Sequence, residues 1–139
     1  MKYHLTPVQT EFAVNTTNLS FAGSERNALR VLVDVQVVPE SLPSPNGPAP
    51  SYQAAELTFS TWAKLEITHL NFWEAQYDNF EVARAAPVEP GFYYVSNSAW
   101  DKTRYDPLHR FTLVHFLLIG YDSYLEVLAA KDFQLALRS

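Results

Sequence analysis

The alternation of apolar and polar residues constrains the fold of this chain more than any other feature. In the range 29–38, valines occupy every second position from Val31 to Val37. A period of two places these side chains on one face of a β-strand, and β-branched residues disfavour the helical alternative. Residues 29–38 are therefore predicted to form a strand with one buried face.

A longer alternation covers residues 56–69, where Leu57, Phe59 and Leu65 share one face. This range exceeds the roughly three to ten residues of an ordinary strand. We therefore expect the strand to be bent, bulged or interrupted near Ser60 and Thr61.

The C-terminal part of the chain shows the clearest strand pattern. Residues 111–119 are apolar on both faces, which is typical of a central strand that is covered on both sides. Short turns separate it from two further alternating stretches, residues 124–129 and 133–138. Three strands with short connections predict a β-meander.

These patterns predict a mainly β fold, either an antiparallel sandwich or a partly open barrel. One or two short helical turns are expected, including one capped by residues 96–98 that runs through Lys102. A small α+β fold is the alternative. A parallel α/β sheet is disfavoured because the strands do not alternate with long amphipathic helices.

The chain is expected to form one domain over residues 1–139, with a proline-rich surface loop at residues 39–50. This loop contains five prolines, and each proline removes a backbone donor that a sheet would need. The loop is predicted to have polyproline character. It is not predicted to divide two domains, because neither side is rich enough in core-forming residues to fold alone.

Composition restricts which cellular compartments and which kinds of partner are compatible with this chain. The net charge of −5 disfavours binding to nucleic acid and to anionic membranes. The chain has no cysteine, which excludes disulfides and thiolate metal sites and agrees with a reducing compartment. It has neither a signal-peptide pattern nor an apolar run of about 20 residues. A cytoplasmic protein that binds neither nucleic acid nor membranes is expected.

The residues that could carry chemistry do not form a recognisable motif. The histidines His4, His69, His109 and His115 are not spaced for a shared metal. The chain contains no phosphate-binding glycine loop and no nucleophile elbow. We expect no metal, no cofactor and no catalytic residue.

Two polar residues lie within apolar strand patterns. His115 is predicted to be a hydrogen-bonded core residue. Glu126 lies between Leu125 and Val127 and is predicted to face solvent. The alternative is that Glu126 is paired with a partner such as Arg110, because an unpaired buried carboxylate is costly.

Residues 66–89 combine acidic and aromatic side chains, with five acids against the single base Arg84. Aromatic anchors flanked by charges are typical of protein-recognition surfaces. The predicted protein-binding residues within this range are Trp73, Tyr77, Asp78 and Glu81. The alternative interpretation places the aromatic residues in the core and leaves the acids merely solvated.

The leading functional hypothesis is a non-enzymatic protein-interaction domain. A small, acidic bacterial protein of the immunity or inhibitor type, which binds a basic protein, would fit this sequence. A second copy of the chain, joined through an edge strand, is a further expected partner. The alternative hypothesis is a small-molecule-binding or catalytic β-barrel with an aromatic-lined pocket, in which tyrosine, His69, His115 or Glu126 supply the polar contacts.

Overall fold

Ten strands and two short helices form the part of the chain that the computed structural model describes, which is residues 3–9, 11–24, 27–37, 51–83 and 90–138. The proline-rich loop predicted at residues 39–50 lies outside these ranges. In chain order the elements are β1 (Tyr3–Pro7), β2 (Phe12–Ala22), β3 (Leu29–Val37), β4 (Ser51–Phe59), β5 (Trp62–Thr68), α1 (Phe72–Ala75), β6 (Phe80–Val82), β7 (Phe92–Val95), α2 (Lys102–Tyr105), β8 (Leu113–Ile119), β9 (Tyr124–Ala130) and β10 (Gln134–Arg138).

The strands form two sheets that do not close into a barrel, which confirms the mainly β, sandwich-like prediction. The larger sheet has the order β5-β9-β8-β7-β1-β6, and the smaller sheet has the order β10-β4-β3-β2. Neighbouring strands are antiparallel except for β1 and β6, which are parallel. None of the helices in the described ranges has the length and apolar character that crossing a membrane requires.

The core between the sheets is formed by the alternating apolar residues. Val31, Val33 and Val35 of β3 belong to one buried cluster with Phe116 of β8 and Val127 of β9. The strand predicted at residues 29–38 is therefore confirmed, and its valine face is the buried face. Burial of each such side chain contributes about 1.5–3 kcal/mol before the entropy of folding is counted.

The long alternation over residues 56–69 is interrupted at Ser60 and Thr61, as predicted. β4 ends at Phe59 in the smaller sheet and β5 begins at Trp62 in the larger sheet. A short connection at this corner therefore carries the chain from one sheet to the other. The two halves of the alternation contribute to different sheets.

A second crossing, after β9, alters the predicted C-terminal meander. β8 and β9 pair as expected, but β10 pairs with β4 in the smaller sheet. The reason is Phe133, whose ring packs in the inter-sheet core at 5.5 Å from the Phe59 ring and 5.2 Å from the Phe116 ring, measured between centroids. Burial of this ring directs the following residues into the smaller sheet.

The outer face of the larger sheet is also covered, which explains why β8 is buried on both faces. Leu117 and Tyr93 belong to a second buried cluster on this face together with Phe72 of α1, and Trp73 packs against its border. The prediction that residues 111–119 contain a central, doubly covered strand is confirmed. This outer face also carries the polar residues described below.

The helix after β7 begins later than predicted. Asp101, not residues 96–98, caps α2, and its Oδ1 accepts a hydrogen bond from the backbone N–H of Arg104 at 3.1 Å. The predicted cap was wrong because the hydroxyl of Ser98 lies against His115 of the sheet, at 2.7 Å from Nδ1. The same hydroxyl accepts a hydrogen bond from the backbone N–H of Trp100, which precedes α2, so it does not cap that helix.

Candidate functional site

A buried hydrogen-bond chain lies on the outer face of the larger sheet. Because Leu117 pairs with Glu126 in the β8–β9 register, and His115 pairs with Leu128, His115 and Glu126 are diagonal neighbours on one face. Long side chains can meet across such a diagonal. Here the Nε2 atom of His115 lies 2.9 Å from Oε1 of Glu126.

Two residues from other elements extend this chain. The hydroxyl of Tyr3, on β1, donates to Oε1 of Glu126 at 3.0 Å. The hydroxyl of Ser98 lies 2.7 Å from Nδ1 of His115. A Glu126 carboxylate can only accept hydrogen bonds, so a neutral His115 carries its proton on Nε2 and accepts from Ser98 at Nδ1. We refer to Tyr3, Glu126, His115 and Ser98 as the hydrogen-bond chain.

An aromatic ring closes one side of the hydrogen-bond chain. The Trp100 ring stacks on the His115 ring, with centroids 3.9 Å apart and planes 11° apart. Nζ of Lys64 lies 4.4 Å from the Trp100 ring centroid, which is within the range of a cation–π interaction. Lys64 also approaches Glu66 at 3.5 Å. The imidazole is therefore covered by protein and not by solvent.

The structure confirms one of the two predictions about buried polar residues and overturns the other. His115 is a hydrogen-bonded core histidine, as expected. Glu126 is buried and paired with His115 and Tyr3, so the prediction that it faces solvent was wrong, and its partner is not Arg110. The physical reason is that Tyr3 of β1 and His115 of β8 both contact the carboxylate on this face, and Glu126 is left only 4% exposed.

Burial also affects Tyr3. Loss of solvent around its hydroxyl raises the pKa of Tyr3 above its ordinary value, and the negative charge of Glu126, which accepts its proton in a hydrogen bond, raises this pKa further. Tyr3 therefore remains a neutral donor at physiological pH. The hydrogen bond from Tyr3 to Glu126 is therefore present at physiological pH.

The order Ser98, His115, Glu126 is that of a nucleophile, a base and a group that orients the base. Two contacts favour a structural role instead. The Ser98 hydroxyl already accepts a hydrogen bond from the backbone N–H of Trp100 at 3.1 Å, and the Trp100 ring covers the imidazole. Among the described residues, every buried side-chain nitrogen and oxygen has a hydrogen-bond partner. The hydrogen-bond chain is therefore saturated by the protein itself.

A second candidate site is exposed and lies where β8 ends. The side chains of Leu70, Tyr77 and Tyr121 are 59%, 82% and 60% exposed, and exposed acids accompany them. The two segments that supply them, residues 69–83 and 120–124, contain no Lys or Arg. We call this site the acidic surface; it consists of Leu70, Glu74, Tyr77, Asp78, Tyr121 and Asp122.

Hydrogen bonds hold the segments of the acidic surface in place. The side chain of Asn71 accepts from the N–H of Glu74 at 3.1 Å, which caps α1, and donates to the carbonyl of Tyr121 at 2.9 Å. Gln76 donates to the hydroxyl of Tyr124 at 3.2 Å. The turn after α1 and the turn between β8 and β9 are thus tied to each other and to the sheet.

The four residues predicted from sequence to bind a protein are placed differently from one another. Tyr77 and Asp78 lie together on the exposed turn after α1. Trp73 is half-buried, and its ring centroid lies 4.9 Å from that of Phe80, with the two ring planes 67° apart. Glu81 is exposed on β6, one residue after Phe80, and therefore on the opposite face of that strand; it lies 3.5 Å from His4.

Sequence reasoning missed exposed residues of the acidic surface and two half-buried residues of the hydrogen-bond chain. Leu70 and Tyr121 join the acidic surface, although an isolated apolar residue beside a turn carries no strong signal. Tyr3 and Ser98 join the hydrogen-bond chain, and both are distant in sequence from Glu126. No alternation pattern indicates such contacts.

No family model, curated protein or solved structure matches this chain. Its function is therefore inferred from two features, the saturated hydrogen-bond chain and the acidic surface. Of the two, the acidic surface is the one that presents large apolar side chains to solvent.

Proposed function

We propose that this protein is a non-enzymatic interaction domain whose acidic surface binds a basic protein. The observation that carries the proposal is the exposure of Leu70, Tyr77 and Tyr121 beside acidic residues. Large apolar side chains grouped at the surface are typical of protein-binding sites, and tyrosine is among the residues that most often dominate binding energy.

Charge and rigidity both favour such an interface. The acids Glu74, Asp78 and Asp122 would steer a basic partner towards the surface, and they would raise the association rate more than the affinity. The hydrogen bonds of Asn71 and Gln76 reduce the conformational entropy that binding would otherwise cost. Binding and masking of a basic protein is the role that an immunity or inhibitor protein plays.

The proposal is tested by recovery of a partner and measurement of its affinity. Wild-type protein is used to capture partners from the cells that encode it, and the captured protein is then purified. We expect a basic protein. Tyr77→Ala should raise its Kd by roughly 30-fold, since truncation of a tyrosine anchor costs about 2 kcal/mol. The double variant Asp78→Lys with Asp122→Lys, which reverses two charges of the acidic surface, should slow association, most strongly at low salt.

A matched control is available at the other end of β8. Leu108 is 70% exposed and lies outside the acidic surface, so Leu108→Ala should bind as wild type does. Equal affinity of the partner for wild type and for Tyr77→Ala would refute the proposed surface. If a captured protein binds Tyr77→Ala normally but does not bind Leu108→Ala, the interface includes Leu108 and not the acidic surface.

A second candidate function is acyl transfer at Ser98, and it is favoured by one observation, the 2.7 Å contact between the Ser98 hydroxyl and Nδ1 of His115. Its test is covalent labelling with a fluorophosphonate, followed by mass spectrometry. An activated serine would be labelled in wild type and not in Ser98→Ala. The saturation described above leads us to expect no labelling of Ser98.

A further inference from the structure

The two sheets end in four edge strands within the described part of the chain: β5 and β6 in the larger sheet, and β10 and β2 in the smaller one. An edge strand presents backbone donors and acceptors that its own sheet leaves unpaired. Such a row is a template for pairing with another chain, and proteins usually block it with charge, proline, bulges or short length.

Three of these edges carry such a block. β6 is only three residues long. β2 loses register with β3 between Val14 and Leu19, which limits each regular stretch. β5 has a register shift between Trp62 and Lys64 and then presents Lys64 and Glu66. Bulges and charges of this kind oppose pairing with a second chain.

β10 contains no bulge and no proline, and its one charged residue is Arg138, at its end. Its residues Gln134 to Arg138 pair with β4 in unbroken register, and residues 134–137 include no charge and no proline. Leu135 and Leu137 are half-buried against the inter-sheet core, while Gln134 and Ala136 are exposed. The strand therefore combines a regular backbone edge with one apolar face and one small, uncharged face.

We propose that two copies of this protein form a twofold-symmetric dimer by antiparallel pairing of β10 with β10 of the second copy, centred on Ala136. The two four-stranded sheets would become one continuous eight-stranded sheet. Isologous pairing requires a self-complementary surface, and β10 provides it. Leu135 would lie opposite Leu137 of the second copy, and Ala136 opposite Ala136.

The register of the proposed β10–β10 pairing favours a second copy of the chain as the partner, and it favours β10 over β5 as the edge that pairs. Leucines meeting across the twofold axis would extend the apolar row that already packs on the core. In β5 the register shift leaves only residues 64–68 regular; pairing of that stretch about its own centre would place Glu66 opposite Glu66, and like charges directly opposite each other are destabilising. The bulge and this charge pair together make β5 a poorer edge for self-pairing than β10.

Charge variants at the twofold axis test the proposal by sedimentation velocity over a range of protein concentrations. Wild type is expected to show a concentration-dependent dimer. Ala136→Lys and Ala136→Glu should each raise the dimer Kd by about tenfold or more, because each places like charges opposite each other. An equimolar mixture of the two variants should form a heterodimer at least as tight as the wild-type dimer.

Gln36→Lys is the matched control, because it adds the same charge to the smaller sheet on the inner strand β3. It should leave the dimer Kd unchanged, and circular dichroism should show that all variants remain folded. A wild type that stays monomeric up to its solubility limit overturns the proposal. So does a dimer that Ala136→Lys leaves intact, or a mixture that fails to pair. The test is independent of the acidic surface, since Ala136 lies on β10 of the smaller sheet and Tyr77 on the turn after α1.

Discussion

Oε1 of Glu126 lies 2.9 Å from Nε2 of His115, at a place where neither residue is more than 4% exposed. The same oxygen accepts the Tyr3 hydroxyl. One carboxylate oxygen thus satisfies two donors that reach it from different strands. The hydrogen-bond chain fastens β1 and the segment after β7 to the centre of the larger sheet.

Replacement of Glu126 should therefore lower the free energy of unfolding, and the loss should be larger when fewer of its hydrogen bonds are kept. Glu126→Ala leaves the donors of Tyr3 and His115 unpaired and should lower the free energy of unfolding by about 3–4 kcal/mol, since each unpaired buried donor costs roughly 1–3 kcal/mol. Glu126→Gln keeps an accepting oxygen and should cost about half as much. Urea denaturation measures both values. A cost below about 0.5 kcal/mol for Glu126→Ala would contradict a structural role for the chain.

Tyr3 should make stability sensitive to alkaline pH. Its pKa is raised above the ordinary value of 10.0 by burial and by Glu126, so the folded protein keeps a proton that the unfolded chain loses. The contribution of Tyr3 is fully present below about pH 10 and declines as the pH rises from there towards the folded pKa. The difference in free energy of unfolding between wild type and Tyr3→Phe should therefore shrink between about pH 8 and about pH 11. A difference that stays constant would refute this.

Truncation of Trp73 should destabilise the protein, whereas truncation of Tyr77 should leave its stability almost unchanged. The Trp73 ring packs edge-on against Phe72 and Phe80, so Trp73→Ala should lower the free energy of unfolding by about 2–3 kcal/mol. Tyr77 is almost fully exposed, and Tyr77→Ala should change the free energy of unfolding by less than about 0.5 kcal/mol. Thermal melts followed by circular dichroism compare the two. If Trp73→Ala melts as wild type does, Trp73 becomes the better probe of the interface.

Gly91 should tolerate no side chain. Its φ is +78°, a conformation that L-residues rarely adopt, and an added Cβ would lie 2.8 Å from Cβ of Val14. Gly91→Ala should therefore destabilise the protein by about 2 kcal/mol or more, from backbone strain and the clash together. Gly23→Ala is the control, because a Cβ there meets its nearest atoms at 3.4–3.5 Å. Equal melting temperatures for the two variants would argue against the close approach of β2 and β7.

Alternation in the sequence identified strands far better than it identified their partners. The pattern around Val31 located β3 to within a residue, and the excessive length of residues 56–69 revealed the break at Ser60 and Thr61. A period of two specifies which side chains share a face, but it does not specify the neighbouring strand. The placement of β10 beside β4 depended on Phe133, whose burial between the sheets no local pattern indicates.

The same limitation explains the misassignment of Glu126. Its immediate neighbours Leu125 and Val127 face the inter-sheet core, so alternation alone directs Glu126 to the other face and, by default, to solvent. The informative signal was that Tyr124 and Leu128 on that other face are also apolar. A single carboxylate in a strand that is apolar on both sides requires a buried partner. The sequence could predict the need for that partner, but only the fold supplies His115 and Tyr3.

The position of β1 between β6 and β7 has a consequence for synthesis on the ribosome. Leu5 pairs with Val95, which is translated about 90 residues later, or roughly 5–20 s at ordinary elongation rates. During that interval β1 has no antiparallel neighbour, and Tyr3 has no carboxylate to which it can donate. β1 can therefore complete its pairing only after β7 has emerged, and the Tyr3–Glu126 hydrogen bond can form only after β9 has followed.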